Sequence, residues 1–373
     1  MKIAILGHGT VGRGVDQIIA ERVPSLEVAR ILELPDRLTD PRMTASYDDI
    51  LADPAIEVVV ECMGGVEPAH TFICQALDAG KSVVTSNKAV VAAHFAEFAQ
   101  KAERSGAKLL IEASVGGGIP WIASIAKARR IDDVQSFQGI MNGTTNYIVY
   151  SMLKDGSDFA EVLSKAQEMG YAERDPSADI DGIDVRNKTI ITASVAFDVA
   201  CTQDLPVTGI RTLTKYDLDL FGSRGLTVKL LGRGVQREGR YAVAVEPVAL
   251  PTTTLEANVP TNFNLVTLVG QTIGELKFYG QGAGSLPTGN AIVQDVLDVA
   301  EGRDMTYRFA AGLTYDPALL TGDYVYRTKA RVGGSTFYEP GACLVRGITA
   351  AAARELFQRA LAEDPSSFMA ALV

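Results

Sequence analysis

Histidine is scarce in this chain: His8, His70 and His94 are all there are in 373 residues, and their scatter suggests neither a metal cluster nor a catalytic triad. Cysteine is scarce too, and Cys62, Cys74, Cys201 and Cys343 show no Cys-x-x-Cys spacing. Neither a zinc ribbon nor a disulfide framework is therefore indicated. Basic charge is short, with 35 Lys and Arg against 45 Asp and Glu, a formal charge of −10 and a pI near 5.0. A nucleic-acid or anionic-membrane partner would want a basic stripe, so small molecules are the expected ligands. No apolar run reaches signal-peptide or membrane length, and the chain enters a strand at Lys2, which predicts a cytoplasmic enzyme. Low-complexity segments are absent, and 47% apolar with 21% charged residues is ordinary globular usage. The length suffices for two lobes, each with its own core.

What is present starts at once. Ile3 to Leu6 reads as a strand, Gly7-His8-Gly9-Thr10-Val11-Gly12 as a tight turn, and Val11, Val15, Ile18 and Ile19 fall at helical spacing. In that context the Gly-x-Gly-x-x-Gly pattern is a dinucleotide fingerprint. Gly7 permits the turn, Gly9 lets a pyrophosphate approach the backbone, and Gly12 allows close helix packing; Thr10 and Val11 open the helix whose free amides face the phosphates. A second strand, Leu26 to Leu32, ends at Glu33, the distance past the glycines at which an acid bonds the adenosine ribose. That favours NAD, although Arg30, Arg37 or Arg42 could pair with a 2′-phosphate and suit NADP.

Strands Glu57–Glu61, Ser82–Thr85 and Lys108–Glu112 alternate with helices over 68–79 and 89–106. This is the pattern of a Rossmann-type, doubly wound parallel sheet, with ligands at the strand C-terminal ends. Three loops fall there: one at Gly64 and Gly65, one presenting Lys88 after Asn87, and the glycine-rich turn between Ala113 and Pro120. A lysine at a helix start is electrostatically ill placed, which makes Lys88 a candidate to meet cofactor, substrate or a developing alkoxide.

Residues 170–188 crowd five carboxylates, Glu173, Asp175, Asp179, Asp181 and Asp184, around Lys188. A helix beginning near Asp181 would set Asp184 and Lys188 four residues apart on one face, with Glu173 in the loop leading in. The plain alternative is a capped helix entry with an Asp184–Lys188 pair. After Pro120 the pattern changes to helices mixed with alternating strands, notably over 226–251, 264–269 and 275–279. A second glycine loop, ending in Gly282 and Gly284, precedes a helix over 288–300. The expected architecture is α/β: residues 1–130 plus 284–305 as the dinucleotide-binding domain, 131–283 as an inserted α+β catalytic and dimerisation domain, and 306–373 as an extension without a readable motif.

Seven segments in order make the chain resemble the homoserine dehydrogenase family over residues 1 to about 305: the glycine turn, Met63–Val66, Val84–Lys88, Glu112–Pro120, Gly139–Asn146, residues 170–188 and Tyr279–Gly284. The resemblance implies NAD(P)-linked interconversion of L-homoserine and L-aspartate 4-semialdehyde, in threonine and methionine biosynthesis, by a homodimer. It further implies that Glu173 and Asp184 hold the substrate with Asp179 in support, that Lys188 is the acid/base, and that Lys88 is a second active-site lysine near the nicotinamide. A sodium ion would sit on the main-chain oxygens of Glu112, Val115, Gly117 and Ile119. Two features depart from the family. Glu33 followed by Leu34-Pro35 stands where many members carry basic or mixed residues, and the tail lacks a recognisable complete amino-acid-sensing module.

Two rivals stay open at this point. A reductase of another small amino or hydroxy acid could use the same scaffold. An NAD(H)-binding redox sensor without turnover would have little use for two lysines and three carboxylates around a substrate-sized site.

Overall fold

The computed structural model describes every residue except Asp304. The chain begins β1 (Lys2–Leu6), α1 (Thr10–Arg22), β2 (Glu27–Leu32), β3 (Met43–Thr44), α2 (Asp48–Leu51), β4 (Ile56–Glu61), α3 (Ala69–Asp78), β5 (Ser82–Thr85), α4 (Lys88–Ser105), β6 (Leu109–Leu110) and α5 (Trp121–Ala128). It continues with β7 (Val134–Ile140), α6 (Gly143–Asp155), α7 (Phe159–Glu168), α8 (Ser177–Ile180), α9 (Ile183–Phe197) and α10 (Lys215–Gly222). Then come β8 (Leu226–Arg237), β9 (Arg240–Pro251), β10 (Phe263–Gly270), β11 (Gly274–Gln281) and α11 (Ser285–Ala300). The last elements are β12 (Thr314–Tyr315), β13 (Thr321–Arg327), β14 (Thr336–Glu339), β15 (Ala342–Thr349), α12 (Ala350–Glu363) and β16 (Phe368–Leu372).

Two compact units result. The first comprises Met1–Arg130, Ser194–Cys201 and Gly280–Ala311, the second Ile131–Ala193, Thr202–Tyr279 and Gly312–Val373. In the first, six strands pair in the order β3-β2-β1-β4-β5-β6, and every pairing is parallel. Strands buried on both faces must be apolar throughout, which is why β4 reads Val58-Val59-Val60. Val15 and Ile19 of α1 and Ile292 and Val296 of α11 share the core with Ile3 and Ile5 of β1. The two helices meet at backbone distance: a Cβ on Gly14 would lie 2.5 Å from the Ser285 carbonyl oxygen. The strand order reverses direction between β1 and β4, and a sheet of this kind binds its ligand outside that switch point.

The second unit is built on a sheet ordered β11-β10-β7-β8-β9-β16-β13-β15-β14, with β12 paired to β9. The β8–β9 hairpin turns on Glu238 and Gly239, with φ of 53° and 74°. Two left-handed residues in a two-residue loop match the right-handed twist of the strands they join. Leu231, Ala244, Tyr324, Tyr326, Phe357 and Met369 lie in its core.

Two stretches depart from the sequence reading. The strand expected to reach Glu112 stops at Leu110, because Glu112 opens a short 3-10 turn and spends its side chain on α5. The motif-free tail is not set apart: β13, β15 and β16 extend the second unit's sheet, and β16 lies between β9 and β13.

Lys229 on β8 is buried, its Nζ donating to Asn146 Oδ1 at 2.7 Å and to the Val259 carbonyl at 3.0 Å. Both acceptors are neutral, and burial pulls the ammonium down from 10.5 to about 7. A folded-state value below the unfolded one gives stability that is complete above about pH 10.5 and lost as pH falls through about 7. Lys229→Met is therefore expected to remove a positive slope of up to about 1.4 kcal/mol per pH unit from the unfolding free energy in that window. Urea unfolding at several pH values measures it, and an unchanged slope in the variant would refute the assignment.

Candidate active site

In the first unit the glycine turn sits at the switch point. Gly7 is left-handed (φ 88°), and its N–H donates to the Leu32 carbonyl at 2.9 Å. A Cβ on Gly12 would come within 2.1 Å of the Gly7 carbonyl oxygen, so the helix can start this close to the turn only with glycine there. Gly9, the N-cap of α1, has open space where its Cβ would be, and α1 carries no side-chain cap. Thr10 and Val11 form the first turn, and the Thr10 carbonyl accepts from Ser285 Oγ at 2.6 Å. The second glycine loop thus borders the first. Gly282 lies against Gly117, where a Cβ would meet the Gly282 carbonyl carbon at 2.6 Å.

Glu33 leans back over the turn, accepting from the His8 N–H at 3.0 Å and the Leu34 N–H at 2.9 Å. Chiefly the Leu34 N–H holds its carboxyl below the usual range, and the His8 N–H adds to it. Of the three arginines considered for a 2′-phosphate, Arg42 is clamped between two carboxylates. It reaches Asp16 at 2.8 and 2.9 Å, and Asp40 at 2.8 and 3.0 Å.

Glu61 is the organiser that sequence reasoning passed over. Fully buried at the end of β4, it accepts from Thr85 Oγ1 at 2.6 Å, from the Met63 N–H at 2.7 Å, and from the Gly64 N–H and Asn87 Nδ2, both at 3.4 Å. Asn87 Nδ2 also donates to the Gly65 carbonyl at 2.7 Å, and Asn87 Oδ1 caps α4 at Val90. The left-handed Gly64 (φ 85°) and the exposed Lys88, first residue of α4, are therefore tied to one carboxylate. Burial raises its pKa against these donors. The available signal was an acid ending an otherwise apolar strand. Glu61→Ala would strand the Thr85 hydroxyl and the Met63 N–H, at an expected cost of about 1–3 kcal/mol. Denaturant unfolding measures it; an unshifted midpoint would remove Glu61 from this role.

The loop read as a sodium site is buried from Glu112 to Gly117, with Gly116 and Gly117 left-handed at φ of 85° and 58°. Glu112 aims its carboxylate at the start of α5, accepting from Ile122 N at 3.0 Å and Ala123 N at 2.6 Å, while its own N–H donates to Asp295 Oδ2 at 3.0 Å. Burial lifts that carboxyl to about 7. The Glu112 and Ile119 carbonyls accept from Val115 N at 3.3 Å and Trp121 N at 2.7 Å, and each keeps a second lone pair. Main-chain oxygens in an irregular buried turn suit a hard monovalent cation.

In the second unit Asn142 joins two residues of the 170–188 stretch. Its Nδ2 donates to Asp179 Oδ1 at 2.6 Å and Asp184 Oδ2 at 2.9 Å, while its Oδ1 caps α6 at Thr145 N, 2.8 Å away. Lys188 Nζ donates to Asp184 Oδ2 at 2.8 Å and the Met141 carbonyl at 2.7 Å. Asp184 and Lys188 are 6% and 7% exposed, so their charges face each other with little water between. Asp179 is raised, first by burial and then by the Asp184 charge. Glu173 lies exposed on the loop, its carbonyl accepting from Gln167 at 2.9 Å.

Asp181 does not start the helix. Left-handed Gly182 (φ 81°) separates α8 from α9, and Asp181 turns outward to Arg211, at 2.7 and 2.6 Å. The i, i+4 pair survives because α9 begins at Ile183, just before Asp184. Asn142 was legible only as a helix cap; its link to Asp179 and Asp184 spans some forty residues and has no local signature.

A parallel sheet with a glycine turn at its switch point puts the first unit in the class of dinucleotide-binding folds. Comparison with known proteins narrows this. The family models described as "Homoserine dehydrogenase, NAD binding domain" and "Homoserine dehydrogenase" match residues 7–112 and 120–297. The homoserine dehydrogenase of Synechocystis sp. is 39% identical, over 80% of this chain and 73% of that one. That of Bacillus subtilis is 35% identical, over 80% and 72%. The crystal structure of the Thiobacillus denitrificans homoserine dehydrogenase matches with a TM-score of 0.88 at 29% identity, covering 100% of this chain and 98% of that one. The chain belongs to the homoserine dehydrogenase family, NAD(P)-dependent oxidoreductases that act on a CH–OH group.

Proposed function

We propose that this chain interconverts L-homoserine and L-aspartate 4-semialdehyde with Lys188 as the acid/base. The observation that carries the assignment is the buried ammonium of Lys188, held between Asp184 and the Met141 carbonyl. When bound, NAD(P) supplies the hydride acceptor or donor. In the reducing direction, hydride reaches the aldehyde carbon and the oxygen gains charge; the ammonium of Lys188 gives that oxygen a proton. In the oxidising direction the amine takes the hydroxyl proton as hydride leaves carbon. Asp184 holds the Lys188 ammonium in place, and Lys88 supplies a second positive charge to steady the alkoxide. Asp184 and Glu173 read the substrate's ammonium and hydroxyl end, and Asp179 supports them through the amide of Asn142. Lys188→Ala is expected to lower kcat by about 10²–10⁴ in both directions with the cofactor KM little changed. Initial rates followed at the reduced-nicotinamide absorbance test this, and retention of most of the turnover would remove Lys188 from the role.

On the cofactor side, the Gly7, Gly9 and Gly12 turn with Thr10 and Val11 is assigned to the pyrophosphate, Gly64, Lys88 and Gly282 to the nicotinamide end, and Glu33 to the adenosine ribose. A carboxylate held in its charged form repels a 2′-phosphate, and Arg42 is already committed to Asp16 and Asp40. The expected preference is NAD. Glu33→Ala should shift the ratio of kcat/KM for NAD over NADP towards NADP by roughly tenfold, equivalent to about 1.4 kcal/mol. Strong NADP preference in the unmutated chain would overturn the reading.

Sodium on the carbonyls of Glu112, Val115, Gly117 and Ile119, and a homodimer formed through residues 131–283, rest on the family resemblance. Among the described residues no helix is long and apolar enough to cross a membrane.

A further inference from the structure

Two of the chain's three histidines, unremarkable by spacing, are brought together on the helices that follow β4 and β5. His70 and Cys74 stand one turn apart on α3, and His94 and Glu97 one turn apart on α4. His70 Nε2 is 2.9 Å from Glu97 Oε2, and Cys74 Sγ is 3.5 Å from Glu97 Oε1 and 3.6 Å from His70 Nε2. The His94 ring lies tilted by 30° against that of His70 with centroids 4.0 Å apart, its Nδ1 3.5 Å from Glu97 Oε2. To put it there α4 leaves helical geometry at His94 (φ −131°, ψ 16°), with neither proline nor glycine at that residue to account for the kink. On the far side of the His70 ring, Nδ1 is 3.0 Å from Glu67 Oε1. A carboxylate on the outer nitrogen is the usual way a ligating imidazole is oriented.

We propose that His70 Nε2, Cys74 Sγ and the Glu97 carboxylate form a site for a divalent cation of the zinc class, with His94 beside its remaining position. One nitrogen, one sulfur and one carboxylate oxygen suit zinc or its late first-row neighbours rather than magnesium or calcium. Bonds of about 2.0–2.3 Å place tetrahedral ligand atoms roughly 3.3–3.7 Å apart. Cys74 Sγ stands at that spacing from His70 Nε2 and from Glu97 Oε1. The shorter His70–Glu97 separation is that of a shared proton, which a cation would replace. The cluster lies outside the residues assigned to cofactor or substrate, so the inference stands independently of the proposed reaction.

Without a cation, His70 meets Glu67 and Glu97 through both ring nitrogens, which calls for imidazolium; Glu97 foremost raises its pKa. Burial and the Glu97 charge also lift the Cys74 thiol to about 12. The other charges facing these groups are His94 and the Lys101–Asp78 pair.

The test is titration of the chelator-treated full chain with Co²⁺. One equivalent should bind with a sulfur-to-cobalt charge-transfer band in the near ultraviolet that Zn²⁺ abolishes. Cys74→Ser should lose the band, and Glu97→Gln, an isosteric change at an exposed residue, should weaken binding at least tenfold while circular dichroism stays that of the unmutated chain. Absence of the band, or a band that persists in Cys74→Ser, overturns the proposal.

Discussion

A carboxylate taken out of water must be given donors, and both units meet that demand by bending loops towards one. Glu61 draws in the backbone after β4, the Thr85 hydroxyl and the Asn87 amide. Asp184 draws in the Lys188 ammonium and the Asn142 amide. Burying either charge unaccompanied would cost several kcal/mol, so the loops that carry candidate functional groups are held where the carboxylate needs them. The two carboxylates differ in one respect: Glu61 is met by neutral donors, whereas Asp184 is met by the ammonium of Lys188.

How much of this could be read from the chain follows from range. The parallel sheet was legible because each strand is a short apolar run followed by a helix of matching period, and the glycine turn because steric demands at Gly7 and Gly12 act within a few residues. The Asp184–Lys188 pair was legible for the same reason, since helical spacing alone makes them neighbours. Asn142, Glu61 and the meeting of His70 with Glu97 were not, because each joins residues that only the fold brings together. Helix boundaries failed where a side chain competed with the backbone. Asp181 prefers Arg211 to capping α9, and Glu112 leaves its strand to cap α5.

The tail resisted for another reason. Its strands alternate weakly and contain no motif, yet β13 and β15 complete a sheet that the preceding elements leave open. Burial of Tyr324 and Tyr326, the latter donating to the Ala353 carbonyl at 3.0 Å, shows a core assembled across α12 and the last strands. Such a core belongs to pairings distant in sequence, which local periodicity cannot report.

The position of β16 carries a consequence for how the second unit forms. Phe368–Leu372 lies between β9, which it joins in parallel, and β13, which it joins antiparallel. The middle of the sheet is closed by a strand synthesised more than a hundred residues after β9. Until that strand is made, β9 at Val248 and Ala249 and β13 along Asp323–Arg327 lack the neighbour that pairs their backbone, and an unpaired edge is a template for any extended segment.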